Sequence, residues 1–244
     1  MSTGRLDRLD ALRGAAMVWM TLFHAAFDLN QHGLIAPQNF YLDPFWTVQR
    51  LCIVSLFLLC AGAGQAVAQL QAVSWPRFWR RWAQVLGCAL LVSAGSAWMF
   101  PQSWISFGVL HGLAVMTLLA RLMARWPARA WIALALAAML LPWIATHPVF
   151  DSRWTNWVGL VTFKPRTEDY VPLLPWLGVL MLGGVAGRWL LRQEGGAPGG
   201  WLRGGLARGL QPLAWLGRHA LSYYMLHQPV LIGLCLAWVT WHAR

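Results

Sequence analysis

The chain has 244 residues, of which 58% are hydrophobic and only 11% charged, with 18 tryptophans. A soluble domain carries about 25% charged residues, so the composition excludes a water-soluble globule and indicates a multi-pass membrane protein. The net charge of +11 does not indicate a nucleic-acid binder, because the arginines fall mainly in alternate loops rather than in one patch.

The first apolar run, near 11–29, carries His24 and Asp28 four residues apart, hence on one helical face. Ionisable groups inside a spanning helix are rare and default to a functional reading. The rival reading is a polar contact that glues helices together. The run contains these groups and lacks a small-residue cleavage pattern after it, so no cleavable signal peptide is expected.

Six further runs, near 46–70, 83–100, 105–124, 129–147, 172–192 and 213–242, are long enough to cross a core ~30 Å thick. Together they predict an all-α, polytopic helical bundle of seven spans, a single transmembrane domain over 1–244. Phe100-Pro101-Gln102-Ser103-Trp104 reads as a tight turn between the third and fourth runs. The last run is too long for one straight span, and Pro229 predicts a kink in it.

Fourteen of the nineteen Lys and Arg residues fall on the side that holds the N-terminus, which predicts a cytoplasmic N-terminus and an external C-terminus. Residues 193–211, rich in glycine, read as a flexible cytoplasmic linker. The outer loop 148–171 collects both signs of charge, and a functional loop and a merely solvated one are equally open there. Ala61–Gly64 and Gly183, Gly184 and Gly187 read as small-residue packing faces. The four cysteines, Cys52, Cys60, Cys88 and Cys235, have neither CxxC spacing nor nearby histidines, so no disulfide framework or metal site is expected. Nothing matches a Walker, Rossmann or H-E-x-x-H fingerprint, and no internal repeat of the transporter kind is evident.

Depth brings the polar groups together. His24 is thirteen steps into the first helix, ~20 Å, and His227 fourteen steps into the last, ~21 Å. Asp28 lies one turn further out, Arg50 begins the second run from the outer side, and His111 is near the outer end of the fourth. These five groups from four helices are expected to share one layer. His219, Tyr223 and His227 at i, i+4 and i+8 form a stripe on the last run, with Gln228 beside it.

A neutral imidazole beside a carboxylate is a general-base unit. No Ser or Cys stands at nucleophile spacing next to these histidines, so direct attack by a deprotonated hydroxyl or amine on an activated acyl group fits better than a covalent intermediate. A proton relay in a transporter or flippase fits the same residues. So does a non-catalytic membrane protein whose polar layer only fixes packing.

Three stretches carry a resemblance. They are Arg8-Leu-Asp10-Ala-Leu-Arg13-Gly14 running on to Met20, His24 and Asp28, then Tyr170-Val-Pro172-Leu-Leu-Pro175-Trp176-Leu-Gly178 continuing to Gly183-Gly184, and Leu216-Gly217-Arg218-His219-Ala-Leu-Ser-Tyr-Tyr-Met-Leu-His227-Gln228-Pro229. With these, the chain resembles the heparan-α-glucosaminide N-acetyltransferase catalytic-domain family of transmembrane acyltransferases. The resemblance implies transfer of an acetyl group from cytoplasmic acetyl-CoA to a sugar amine or hydroxyl across the membrane, in a bacterial-type inner membrane, with no metal. It implies His24 as general base, Asp28 orienting it and His227 shaping the acyl site. Arg50, His111, Tyr223, Gln228 and His32 are candidates for binding the acceptor glycan or aminosugar, and Arg13 and Arg218 for meeting the phosphates of CoA. The lysosomal enzyme of the family is longer, and its catalytic histidine lies just past the first helix. His32 occupies that place here, so the base is open between His24 and His32. Seven spans leave less wall for a CoA tunnel, which keeps a homodimer, or loss of activity, open.

Overall fold

A computed structural model describes residues 6–192, 202 and 205–242. Among them the regular elements are helical: α1 (Asp7–Gln31), α2 (Pro44–Leu70), α3 (Trp75–Met99), α4 (Val109–Leu122), α5 (Ala128–Ile144), α6 (Leu173–Arg192), α7 (Gln211–Arg218) and α8 (Ala220–His242), with short 3-10 turns at Pro148–Phe150, Asn156–Val158 and Arg208–Leu210. Prolines mark several starts. Pro44 opens α2, Pro76 and Pro212 fall in the first turns of α3 and α7, and Pro127 directly precedes α5. Proline is tolerated there because the first amides of a helix have no intrahelical acceptor to lose.

By length and composition α2, α3, α6 and α8 can each cross a membrane, and the protein is an integral membrane protein. The other expected spans look different in the structure. α4 and α5 are apolar but have 14 and 17 residues, ~21 and ~26 Å of helix against a core of ~30 Å. α1 has 25 residues but falls outside the apolar group, since Arg13, His24 and Asp28 interrupt its sequence. The run expected over 213–242 is two helices, α7 and α8, divided at His219. Pro229 sits inside α8. Of the linker expected over 193–211, residues 193–201, 203 and 204 lie outside the described residues, and its far end forms the turn Arg208–Leu210 that leads into α7.

The described residues divide into two compact units. One comprises residues 58–192. Within it, α3 packs on α4, and α6 packs on both α4 and α5. A Cβ on Gly62 would overlap the Leu180 carbonyl oxygen, and one on Gly183 the Leu59 carbonyl oxygen, so the small-residue faces of α2 and α6 bring two backbones into contact. Trp131 is fully buried, donates to the Met123 carbonyl oxygen at 2.9 Å, and carries the Arg188 guanidinium 4.0 Å from its ring centre. Arg188 also donates to the carbonyl oxygens of Ala124 and Trp126, just past the end of α4.

The second unit comprises residues 6–57, 202 and 205–242, with α1 packed on α7 and α8. Gly14 and Gly217 make the first of these contacts reciprocal. A Cβ on Gly14 would overlap the Leu213 carbonyl oxygen, and one on Gly217 the Asp10 carbonyl oxygen. Further along α1, Met17 and Met20 meet Ile53 of α2 and Ala220 of α8, with Phe23, Leu216, Tyr223 and Tyr224 packed around them. That apolar cluster holds α1 and α8 side by side just below the polar groups.

Candidate functional site

Thr21, His24 and Asp28 lie at i, i+3 and i+7, one face of α1. Tyr223, His227 and Gln228 answer them from α8 in the same order. The hydroxyls of Thr21 and Tyr223 are 2.7 Å apart. The imidazoles of His24 and His227 have centroids 5.3 Å apart, tilted at 56°. Gln228 Nε2 donates to both oxygens of the Asp28 carboxylate, at 3.1 Å each. The three contacts follow one another along the two helices like rungs.

The expectation was that Asp28 would orient His24. In the structure the carboxylate is engaged by the Gln228 amide, and His24 makes ring contacts with Phe23 and His227 but no hydrogen bond among the described residues. Asp28 is 4% exposed and His227 8%. His227 Nδ1 lies 2.7 Å from the Tyr224 carbonyl oxygen. A carbonyl only accepts, so Nδ1 carries the proton and Nε2 presents a lone pair. That Nε2 and the neighbouring Gln228 Oε1 are both buried acceptors with no hydrogen-bond donor. Two orphaned acceptors side by side are expensive unless something supplies protons to them.

The remaining candidates have these places. His32 caps the end of α1, its Nδ1 donating to the Asp28 backbone carbonyl at 2.8 Å. Arg50, in the second turn of α2, has no hydrogen bond or ion pair among the described residues. Arg13 pairs with Asp10 at 2.7 Å and Arg218 with Asp7 at 3.6 Å, so both cations proposed for phosphate already share carboxylates of α1. His219 lies at the joint between α7 and α8, exposed, with Nδ1 2.9 Å from the Trp215 carbonyl oxygen, and so leaves the stripe that Tyr223 and His227 continue. His111 belongs to the other unit. Its Nδ1 accepts the Gly108 N–H at 3.3 Å, and its Nε2 lies 3.2 Å from Ser93 Oγ, which donates to the Ile105 carbonyl oxygen at 2.6 Å. Both of its nitrogens thus serve the start of α4.

A cavity of about 330 Å³ opens at the C-terminal end of α1, lined by Phe27, Asn30, Gln31, Gln38, Asn39 and Tyr41 together with Pro37 and Phe40. Phe40 is almost fully buried and stacks on Trp46 with centroids 4.0 Å apart. It also meets Phe23 and Phe27 edge-on, so the loop after α1 is pinned beside the polar rungs. Sequence reasoning missed Thr21, Trp19, Gln49 and Phe40. Thr21 was findable, since it shares the face of His24 and Asp28. The Trp19–Gln49 hydrogen bond, 2.6 Å, and the burial of Phe40 depend on how the loop folds back, which no local spacing reports. Among the described residues, no group of three or more His, Cys, Asp and Glu side chains is arranged to hold a metal.

No curated protein and no solved structure gives a significant match to the chain. The family model described as heparan-alpha-glucosaminide N-acetyltransferase, catalytic, matches residues 5–229, from before α1 to Pro229 in α8. With its apolar helices and that match over nearly its whole length, the chain belongs to the heparan-alpha-glucosaminide N-acetyltransferase catalytic family of membrane acetyltransferases.

Proposed function

We propose that the protein moves an acetyl group from cytoplasmic acetyl-CoA to the amine or hydroxyl of a sugar on the opposite side of the membrane. One observation carries this reading. The His227 imidazole is buried, its tautomer is set by the Tyr224 carbonyl, and its Nε2 lone pair has no donor beside the Asp28–Gln228 pair. An acceptor N–H or O–H supplies the missing donor.

His227 Nε2 takes the acceptor's proton as its nitrogen or oxygen attacks the thioester carbonyl. The carbon–sulfur bond breaks, and the leaving sulfur receives the proton from the imidazolium, giving CoA thiol and the acetylated sugar. Asp28 favours the imidazolium electrostatically, and Gln228 holds that carboxylate in place. His24, the second imidazole, is the rival base, with His32 beyond it at the end of α1. Arg50 and the carboxamides of the cavity, Asn30, Gln31, Gln38 and Asn39, suit a hydroxyl-rich acceptor. Arg218, the more loosely paired cation, is better placed than Arg13 to exchange its carboxylate for a phosphate of CoA. The arginine bias supports a bacterial-type inner membrane with a cytoplasmic N-terminus.

Purified protein in detergent, given acetyl-CoA and a panel of aminosugars, tests the reading through release of free thiol. Thiol release that requires an acceptor supports it. Proton-coupled solute flux in proteoliposomes, independent of acetyl-CoA, would replace it with a transporter.

A further inference from the structure

The start of α3 reads Trp75-Pro-Arg77-Phe78-Trp79-Arg80-Arg81-Trp82, and it sorts its side chains by face. Trp75, Phe78, Trp79 and Trp82 fall at i, i+3, i+4 and i+7, while Arg77, Arg80 and Arg81 fall at i, i+3 and i+4 on the opposite side. The aromatic face is fixed to the protein. Trp82 Nε1 donates to the Ala114 carbonyl oxygen of α4 at 2.8 Å. The Arg121 guanidinium lies 4.9 Å from the Trp75 ring centre and 5.7 Å from that of Phe78. Trp75 and Trp79 stack with centroids 5.9 Å apart, and each remains 44% exposed. The basic face therefore points away from α4, and Arg77, Arg80 and Arg81 are all exposed.

Nothing in α3 balances those cations. The helix contains no Asp or Glu. Arg81 donates to Gln84 Oε1 at 3.2 Å, whereas Arg77 and Arg80 have no hydrogen bond or ion pair among the described residues. Like charges three and four apart on a helix repel one another. Cations in the first turns also oppose the positive end of the helix dipole. Both costs fall when an anion sits against the face.

α3 is long and apolar enough to span a membrane, and half-exposed tryptophans at the end of such a helix mark headgroup depth. We propose that Arg77, Arg80 and Arg81 form a binding surface for anionic phospholipid headgroups, flanked by Trp75 and Trp79. The charge complementarity is with the lipid phosphate and any further anionic charge on the headgroup. This surface is separate from acetyl transfer and does not depend on it.

Native mass spectrometry of the detergent-purified full chain, titrated with phosphatidylglycerol or phosphatidylcholine, tests the proposal. The wild type retains phosphatidylglycerol in preference to phosphatidylcholine. Each arginine removed weakens that retention roughly fivefold, so R77Q/R80Q/R81Q loses about a hundredfold. R77K/R80K/R81K keeps the preference, and R125Q/R129Q, which removes two arginines elsewhere, leaves it nearly intact. If the triple glutamine variant does not fold, R77Q and R80Q singly carry the test. Unchanged phosphatidylglycerol retention in the glutamine variants would overturn the proposal. So would equal retention of the two lipids, or displacement of phosphatidylglycerol by free CoA, which would assign the face to a soluble phosphate.

Discussion

Gln228 Nε2 lies 3.1 Å from each oxygen of the Asp28 carboxylate, an amide from α8 closing on a buried acid of α1. The contact aligns the two helices at the level where His24 and His227 face each other. It also gives a carboxylate that is 4% exposed a donor for both oxygens.

Removing that amide leaves the acid with no side-chain donor. Gln228→Ala is expected to lower stability by about 1–2 kcal/mol. Asp28→Asn/Gln228→Ala should recover part of the loss, because an uncharged group is cheaper to bury unpaired. Thermal unfolding in detergent of both single variants and the double variant measures the coupling, and strictly additive effects would contradict it.

The α1–α7 crossing makes a second prediction. Gly14→Ala and Gly217→Ala each drive a Cβ into a carbonyl oxygen of the facing helix, so the helices must separate at a cost of about 1–3 kcal/mol or more. Gly95→Ala, with open space around its Cβ in α3, is expected to be neutral or stabilising by up to about 1 kcal/mol. Melting temperatures of the three variants provide the comparison, and a Gly14→Ala protein as stable as Gly95→Ala would refute the close crossing.

Tyr170, in the connection between α5 and α6, donates its hydroxyl to the Asn156 carbonyl oxygen at 2.7 Å. Burial, and secondarily the Asp151 carboxylate, pushes its ionisation above the ordinary 10.0. In the alkaline range the folded protein therefore keeps a proton that the unfolded chain loses. Its stabilising effect is complete below the unfolded value and is lost as pH rises past it towards the folded one. Melts taken from about pH 9 to about pH 11 should fall more steeply for the wild type than for Tyr170→Phe. Parallel curves would show that the hydroxyl is not the titrating group.

At the start of α4, Val109 N–H donates to Asp169 Oδ2 at 2.7 Å and Gly108 N–H to His111 Nδ1. Asp169→Ala and His111→Ala are each expected to cost about 1 kcal/mol. Faster amide exchange confined to the first turn of α4 would identify the lost cap. Unchanged exchange there would show that the helix start does not rely on these side chains.

Much of this was legible in the sequence because membrane burial writes strong signals. Apolar length marks α2, α3, α6 and α8, and equal depth counted along two helices places His24 beside His227. The pairing within that layer was not legible. Spacing alone made His24 the neighbour of Asp28, but i and i+4 side chains on one helix point the same way, and Gln228 reaches the carboxylate from across the interface. The break at His219 was hidden for a related reason. The apolar pattern runs on without interruption, and what divides α7 from α8 is the tight seating of Gly217 on α1, a tertiary constraint. Pro229, the residue with the strongest local signal for a break, lies within α8. His111 had a histidine's chemistry, but its two nitrogens are spent on Gly108 and Ser93, partners too dispersed in sequence to be foreseen.

The central claim is that His227 Nε2 takes the acceptor's proton. The direct measurement is the acetyl-CoA-dependent transfer rate of purified wild type, His227→Ala and His24→Ala, with folding of each checked by thermal melt. The account predicts that His227→Ala loses at least about a hundredfold in kcat while remaining folded, the usual contribution of a general base, and that His24→Ala loses less. A folded His227→Ala that turns over like wild type, or a His24→Ala that alone abolishes transfer, would contradict it and move the base to α1.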